Sequence, residues 1–155
     1  MTIADFILQR ARHLNLGSFA LVMATGIVSI DVNQHGMHGL ALTLLGLNLL
    51  AWLVLLALTA LRLLRFRHEL VAEFVDPARG AAFLTLAAAT CVLGSQFVLV
   101  VYLPELACVL ALLGALFWVA LTYLFLAATI TARIKPGFTR SINGGWLVAV
   151  VATQA

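Results

Sequence analysis

Residues 40–64 read LALTLLGLNLLAWLVLLALTALRLL, 14 leucines in 25 positions with one arginine near the end. A bilayer core takes about 20 residues of helix. Inside it every backbone N–H and C=O has to be paired within the protein, and a helix does this by itself. The run therefore predicts a membrane-spanning helix. Working outward from it, three further apolar runs are long enough to span: Leu16–Val32, Gly80–Leu103 and Leu106–Thr131. Pro77, Pro104 and Pro136 fall between or at the ends of these runs, where a missing N–H costs little.

The bulk composition agrees. Hydrophobic residues make up 64% of the 155 and charged residues 10%, against about 45–50% and about 25% in soluble domains. The surplus apolar surface has to face lipid. The net charge of +3 does not indicate a nucleic-acid partner, because the basic residues lie in short clusters between apolar runs and form no continuous face. Cys91 and Cys108 both sit inside apolar runs and read as small buried hydrophobes.

A fifth run begins at Asn143 and reads NGGWLVAVVATQA, about two-thirds of a span. The expected fold is thus all-α and transmembrane, one domain over 1–155, with four full spans and a fifth that looks cut. Residues 1–15 form a candidate amphipathic segment, with Ile3, Phe6, Ile7 and Leu14 toward one side and Arg10, Arg12 and His13 at the headgroups. A cleaved signal peptide is the rival reading, but no A-x-A-like site follows promptly.

Orientation follows from charge. Arg10 and Arg12 precede the first span, Arg62, Arg65, Arg67 and Arg79 lie between the second and third, and Arg133, Lys135 and Arg140 follow the fourth. All nine basic residues fall on one side, so the positive-inside rule places the N-terminus in the cytoplasm. Arg62, Arg65 and Arg67 read as a topology cluster touching anionic lipids. The opposite loops carry Asp31, His35, His38 and Glu105. His35 and His38, three apart, read as solvated loop residues ahead of a metal pair, and Asp31 and Asn33 as the end of the first helix.

The spans differ in kind. The second and fourth are rich in leucine and suit lipid. The first carries Gly17, Ser18, Thr25, Gly26 and Ser29; the third carries Gly80, Thr85, Thr90, Gly94, Ser95 and Gln96; the fifth carries Gly144, Gly145, Thr153 and Gln154. Small and hydroxyl residues permit close approach and interhelical hydrogen bonds, which predicts odd-numbered spans inside and even-numbered spans outside. Asn48, alone among leucines, reads as an interhelical hydrogen bond. The odd spans also begin alike: Phe19, Phe83 and Trp146 recur after 64 and 63 residues, each followed six or seven residues later by threonine. One helical hairpin is the natural unit of such a period.

The strings FALVMATGIVS (19–29), RGAAFLTLAAATCVLGSQ (79–96) and NGGWLVAVVATQ (143–154) resemble the tellurite-resistance/dicarboxylate transporter family. That family takes in the bacterial TehA proteins, malate permeases, sulfite exporters and the slow-type anion channels of plants. The resemblance implies ten helices in five hairpins around a central pore lined by the odd-numbered helices. It also implies a gating phenylalanine on a late helix beyond Ala155, and a homotrimer in a plasma (bacterial inner) membrane. Family pore helices are often kinked by proline; the first and third spans here have none inside them.

Helical spacing groups the candidate pore-lining residues: Ser18, Val22, Thr25 and Ser29 on the first span, Thr85, Ala89, Val92 and Gln96 on the third, and Asn143, Leu147, Val150 and Gln154 on the fifth. Neutral hydroxyls and amides attract an anion without trapping it. The alternative is that these residues only pack helices together. No catalytic cluster, cofactor or metal motif is present: a haem or quinone anchor wants histidines at bilayer depth, and an enzyme wants a nucleophile with a base. The reading is a transporter or channel for small inorganic or dicarboxylate anions, whose partners are the lipid bilayer and the anion. The alternative is a structural or cofactor-anchoring subunit. The orientation has a direct check. On a background lacking Cys91 and Cys108, a cysteine replacing Arg65 should react with a membrane-impermeant thiol reagent only from the cytoplasmic side, and one replacing His35 only from the opposite side. Labelling of both from one side would overturn the topology.

Overall fold

The computed structural model describes residues 16–76, 79–131 and 151–153. The segment 1–15 and the candidates Asn143, Leu147, Val150 and Gln154 lie outside the described residues.

Four described helices are long and apolar enough to cross a membrane: Leu16–Gln34, His38–Arg65, Gly80–Leu99 and Pro104–Ala128. They are called here the first to fourth spans, the fourth helix running on to Thr131. Each has a sequence reason for its ends. Gly36 adopts φ 81° in the turn after the first span, a conformation open to glycine at no steric cost. Pro104 opens the fourth span, where its absent N–H would have had no partner. Arg62 and Arg65 occupy the last turn of the second, favourable positions against the helix dipole.

The hairpin period is visible in the backbone. A 3₁₀ turn, Leu16–Ser18, opens the first span and passes into α-helix at Phe19, and a second, Gly80–Phe83, opens the third and passes into α-helix at Leu84. The turns begin 64 residues apart, and both aromatics, Phe19 and Phe83, are buried.

The third span is the axis of the protein. Of the residues in its apolar stretch 67% are buried, against 28%, 22% and 17% in the first, second and fourth spans. Its alanines, Ala87, Ala88 and Ala89, are buried, as are Leu93 and Phe97. Leu93 and Phe97 join Val22, Leu45, Trp52 and Leu110 in one apolar cluster. The second and fourth spans turn leucines such as Leu47, Leu50, Leu112 and Leu116 outward. The first span buries only Phe19, Val22, Gly26 and Ser29 in its helix and leaves Leu21, Ile27 and Val28 open. Residues 151–153 are helical, and Ala152 packs on Leu84 and Ala88.

Close approach depends on glycine at two interfaces. A Cβ at Gly26 would stand 2.5 Å from Val92 Cγ1 and 3.2 Å from both Asn48 Nδ2 and Gln96 Oε1. Between the third and fourth spans, the Cys91 sulfur occupies the space a Cβ at Gly114 would need. Cys108, expected to be buried, is exposed on the outer surface of the fourth span.

The basic loop after the second span holds a feature the sequence reading did not foresee. One non-helical residue, Phe66, separates Arg65 from a short connecting helix, Arg67–Val75. That helix folds back on the bundle. Phe74 meets Phe83 edge-on at 4.9 Å and Phe125 at 6.3 Å. Glu73 bonds Arg62 at 2.9 Å. Arg62 is therefore not part of a lipid-touching cluster: it is 1% exposed, because the returning helix brings a carboxylate over it.

Two stability outcomes follow. Gly26→Val should cost about 1–3 kcal/mol by overpacking, whereas Gly46→Val, with nothing within 4 Å, should change stability by less than about 0.5 kcal/mol. Glu73→Gln should cost about 1–3 kcal/mol, because a guanidinium buried at 1% exposure loses its anionic partner. Denaturant titration of the detergent-solubilised protein reads all three; equal effects at Gly26 and Gly46 would refute the close-approach account.

Candidate functional site

The polar groups of the spans form a sequence of hydrogen bonds along the bundle. At the end opposite the arginines, Asn33 Nδ2 donates to the Leu99 carbonyl at 2.9 Å, joining the first and third spans. One turn deeper, Ser29 Oγ donates to Ala41 O of the second span, also at 2.9 Å. Next, Asn48 Nδ2 donates to Gln96 Oε1, as the lone asparagine of the second span led us to expect. Trp52 Nε1 donates to Thr90 Oγ1 at 3.2 Å, and Thr90 in turn donates to Leu86 O. At the arginine-rich end, Thr85 Oγ1 donates to Leu16 O at 2.8 Å. Every helix pair among the first three spans is tied at least once.

Some of the candidate residues meet at this interface. The Thr85–Ala89–Val92–Gln96 face of the third span packs against the first and second spans, and Gly26 of the first lies against Val92 and Gln96. Val22, Ser29, Thr85, Ala89 and Gln96 are buried in helix contacts; Thr25 and Val92 are half-buried, and Ser18 is exposed. Ser29, Thr85 and Gln96 each contribute a hydrogen bond between spans.

Charge is absent from the depth of this interface. The first span has no ionisable side chain before Asp31, and the third has no Asp, Glu, Lys, Arg or His from Gly80 to Leu99. The buried donors are neutral. Gln96 Nε2 and Asn48 Oδ1 remain without a hydrogen-bond partner after their mutual bond. Each polar atom left unpaired in an apolar interior costs on the order of 1–3 kcal/mol.

The sequence reading missed Trp52 and Thr90 as a pair. Thr90 lies off the Thr85/Gln96 face, and that displacement was the available signal that it turns toward a different helix. His35 and His38 serve the outer turn: His35 Nδ1 lies 2.9 Å from the Asp31 carbonyl and His38 Nδ1 2.7 Å from Asn33 Oδ1. A shallow groove between the third and fourth spans, lined by Cys91, Gly94, Ser95, Ala107 and Cys108, is open on the lipid-facing surface.

Residues 13–155 match the sequence model of a family described as voltage-dependent anion channel. No curated protein and no solved structure matches the chain. The match covers nearly all of the sequence, including the three strings that carry the resemblance to tellurite-resistance and slow-type anion channel proteins. The helical bundle with four apolar spans among the described residues is consistent with that match, and the chain belongs to the voltage-dependent anion channel family.

Proposed function

We propose that this chain forms part of a pathway for small inorganic or dicarboxylate anions, lined by the odd-numbered spans. Family membership supports anion passage at the coarser level, as channel or transporter and not as enzyme. The observation that carries the finer reading is the meeting of the first and third spans. Hydroxyls, carboxamides and small side chains gather there, without a fixed charge. A dehydrating anion needs partial positive charge, and N–H and O–H dipoles supply it without the deep binding that a buried lysine or arginine would impose. A carboxylate at that depth would mark a proton relay or cation coupling instead.

In this reading Ser18, Thr25 and Val92, which keep open surface, face the anion. Val22, Ser29, Thr85, Ala89 and Gln96 stand behind them in helix contacts. Asn143, Val150 and Gln154 are the corresponding candidates on the fifth run. The arginine-rich end lies in the cytoplasm, in a plasma membrane, and the assembly is a homotrimer.

The Thr25→Glu and Thr25→Gln pair tests this with size held constant. Proteoliposomes that hold the full-length protein and are loaded with chloride or nitrate should show anion flux that survives replacement of the cation. Thr25→Glu should lower that flux about tenfold or more relative to Thr25→Gln, through repulsion between a carboxylate and the passing anion. Equal flux from the two variants would remove Thr25 from the path. Flux that requires a particular cation gradient would overturn the uncoupled mechanism.

A further inference from the structure

The connecting helix Arg67–Val75 separates its charges by face. Toward the bundle it carries Leu70, Phe74 and both carboxylates, Glu69 and Glu73, all partly buried. Away from the bundle it carries Arg67, Val71 and Val75, flanked by His68 and Ala72, all exposed. At 3.6 residues per turn these five occupy one arc of about 140°. Leu64 and Arg65, exposed just before the break at Phe66, add another apolar and another basic side chain. Among the described residues no ion pair involves Arg65 or Arg67. The open face is therefore basic and apolar with no acidic residue on it, since Glu73 is turned inward to Arg62 and Arg79.

Its depth is set by the aromatic contacts. Phe74 touches Phe125, six residues before Thr131 at the end of the fourth span, which is about 9 Å along the helix axis. The short helix thus lies beside the last turns of the spans and not beyond them. A helix at that level, with two valines and an arginine sharing its open side, has the character of one that lies in the plane of the interface. Arginine beside an apolar surface at the headgroup level matches an anionic phosphodiester, whose charge also favours the basic side of the membrane.

We propose that Arg67–Val75 is an interfacial helix that binds anionic phospholipid, with Arg65 and Arg67 on the headgroup phosphate and Val71 and Val75 entering the acyl layer. The test is lipid retention by the detergent-purified protein, read by native mass spectrometry after exposure to phosphatidylglycerol and phosphatidylcholine in equal amounts. Wild type should retain phosphatidylglycerol preferentially. In the variant R65Q/R67Q the preference should fall about fivefold per arginine removed, and salt should weaken it in the wild type. Val71→Asp should lower retention of both lipids. Inorganic phosphate added alone should not displace the lipid. All substituted side chains are exposed, so circular dichroism and elution volume should stay those of wild type. Equal retention of the two lipids by wild type, or an undiminished preference in R65Q/R67Q, would overturn the proposal. So would a dimer that dissociates in Val71→Asp while lipid retention is unchanged, since that would assign the face to a second copy of the chain.

Discussion

Inside a bilayer no water stands ready to accept a hydrogen bond, so a polar side chain in a span takes its partner from the protein, on its own helix or on a neighbouring one. The rest of this structure depends on that constraint. Five hydrogen bonds, from Asn33–Leu99 at one end to Thr85–Leu16 at the other, join the first three spans at successive depths. Interhelical hydrogen bonds in membranes average only about 0.6 kcal/mol each, so their stabilisation is modest. Their larger effect is on register: with apolar side chains equally content against lipid or protein, the polar groups decide which turn of one helix meets which turn of the next.

The small residues serve the same end. Dispersion contacts replace the hydrophobic effect as the packing force between helices in lipid, and those contacts need close backbones. Gly26 and Gly114 supply the room, and the run Ala87–Ala88–Ala89 lets the third span be enclosed on several sides. This is also what makes the interface suitable for an anion. A helix pair drawn together by hydroxyls, carboxamides and glycine presents neutral dipoles and short side chains. A pair held by ion pairs would present charge that a passing anion could not leave.

Among the described residues arginine is confined to one end, and there it is organised. The break at Phe66 turns the chain so that Glu73 reaches Arg62, eleven positions earlier in sequence, while Phe74 fills the space between Phe83 and Phe125. A buried arginine is acceptable only with an anionic partner, and the short helix provides it. The same packing leaves the helix's basic and apolar residues on its outer side, so the contact that completes the bundle also shapes its membrane-facing border.

The sequence by itself determined the class of the protein, the four spans, the concentration of basic residues at one end, and the split between leucine-rich and small-residue helices. These depend on composition and on period, which need no knowledge of neighbours. The 64-residue recurrence of Phe19 and Phe83 likewise told of a repeated hairpin, and both aromatics sit at matching 3₁₀-to-α junctions. Helical spacing also grouped Thr85 with Gln96 and Ser18 with Ser29. Only the tertiary structure decided that the first span meets Val92 and Gln96 through Gly26 while its Ser29 serves the second span, that Thr90 serves Trp52, and that Arg62 is buried under Glu73 while Arg65 and Arg67 stay outside. The reason is physical. In a soluble protein the inward face of a helix announces itself by being apolar, but lipid makes the outward face apolar as well. With that signal flattened, a helix's orientation is set by a few hydrogen bonds and glycine contacts whose partners lie tens of residues away.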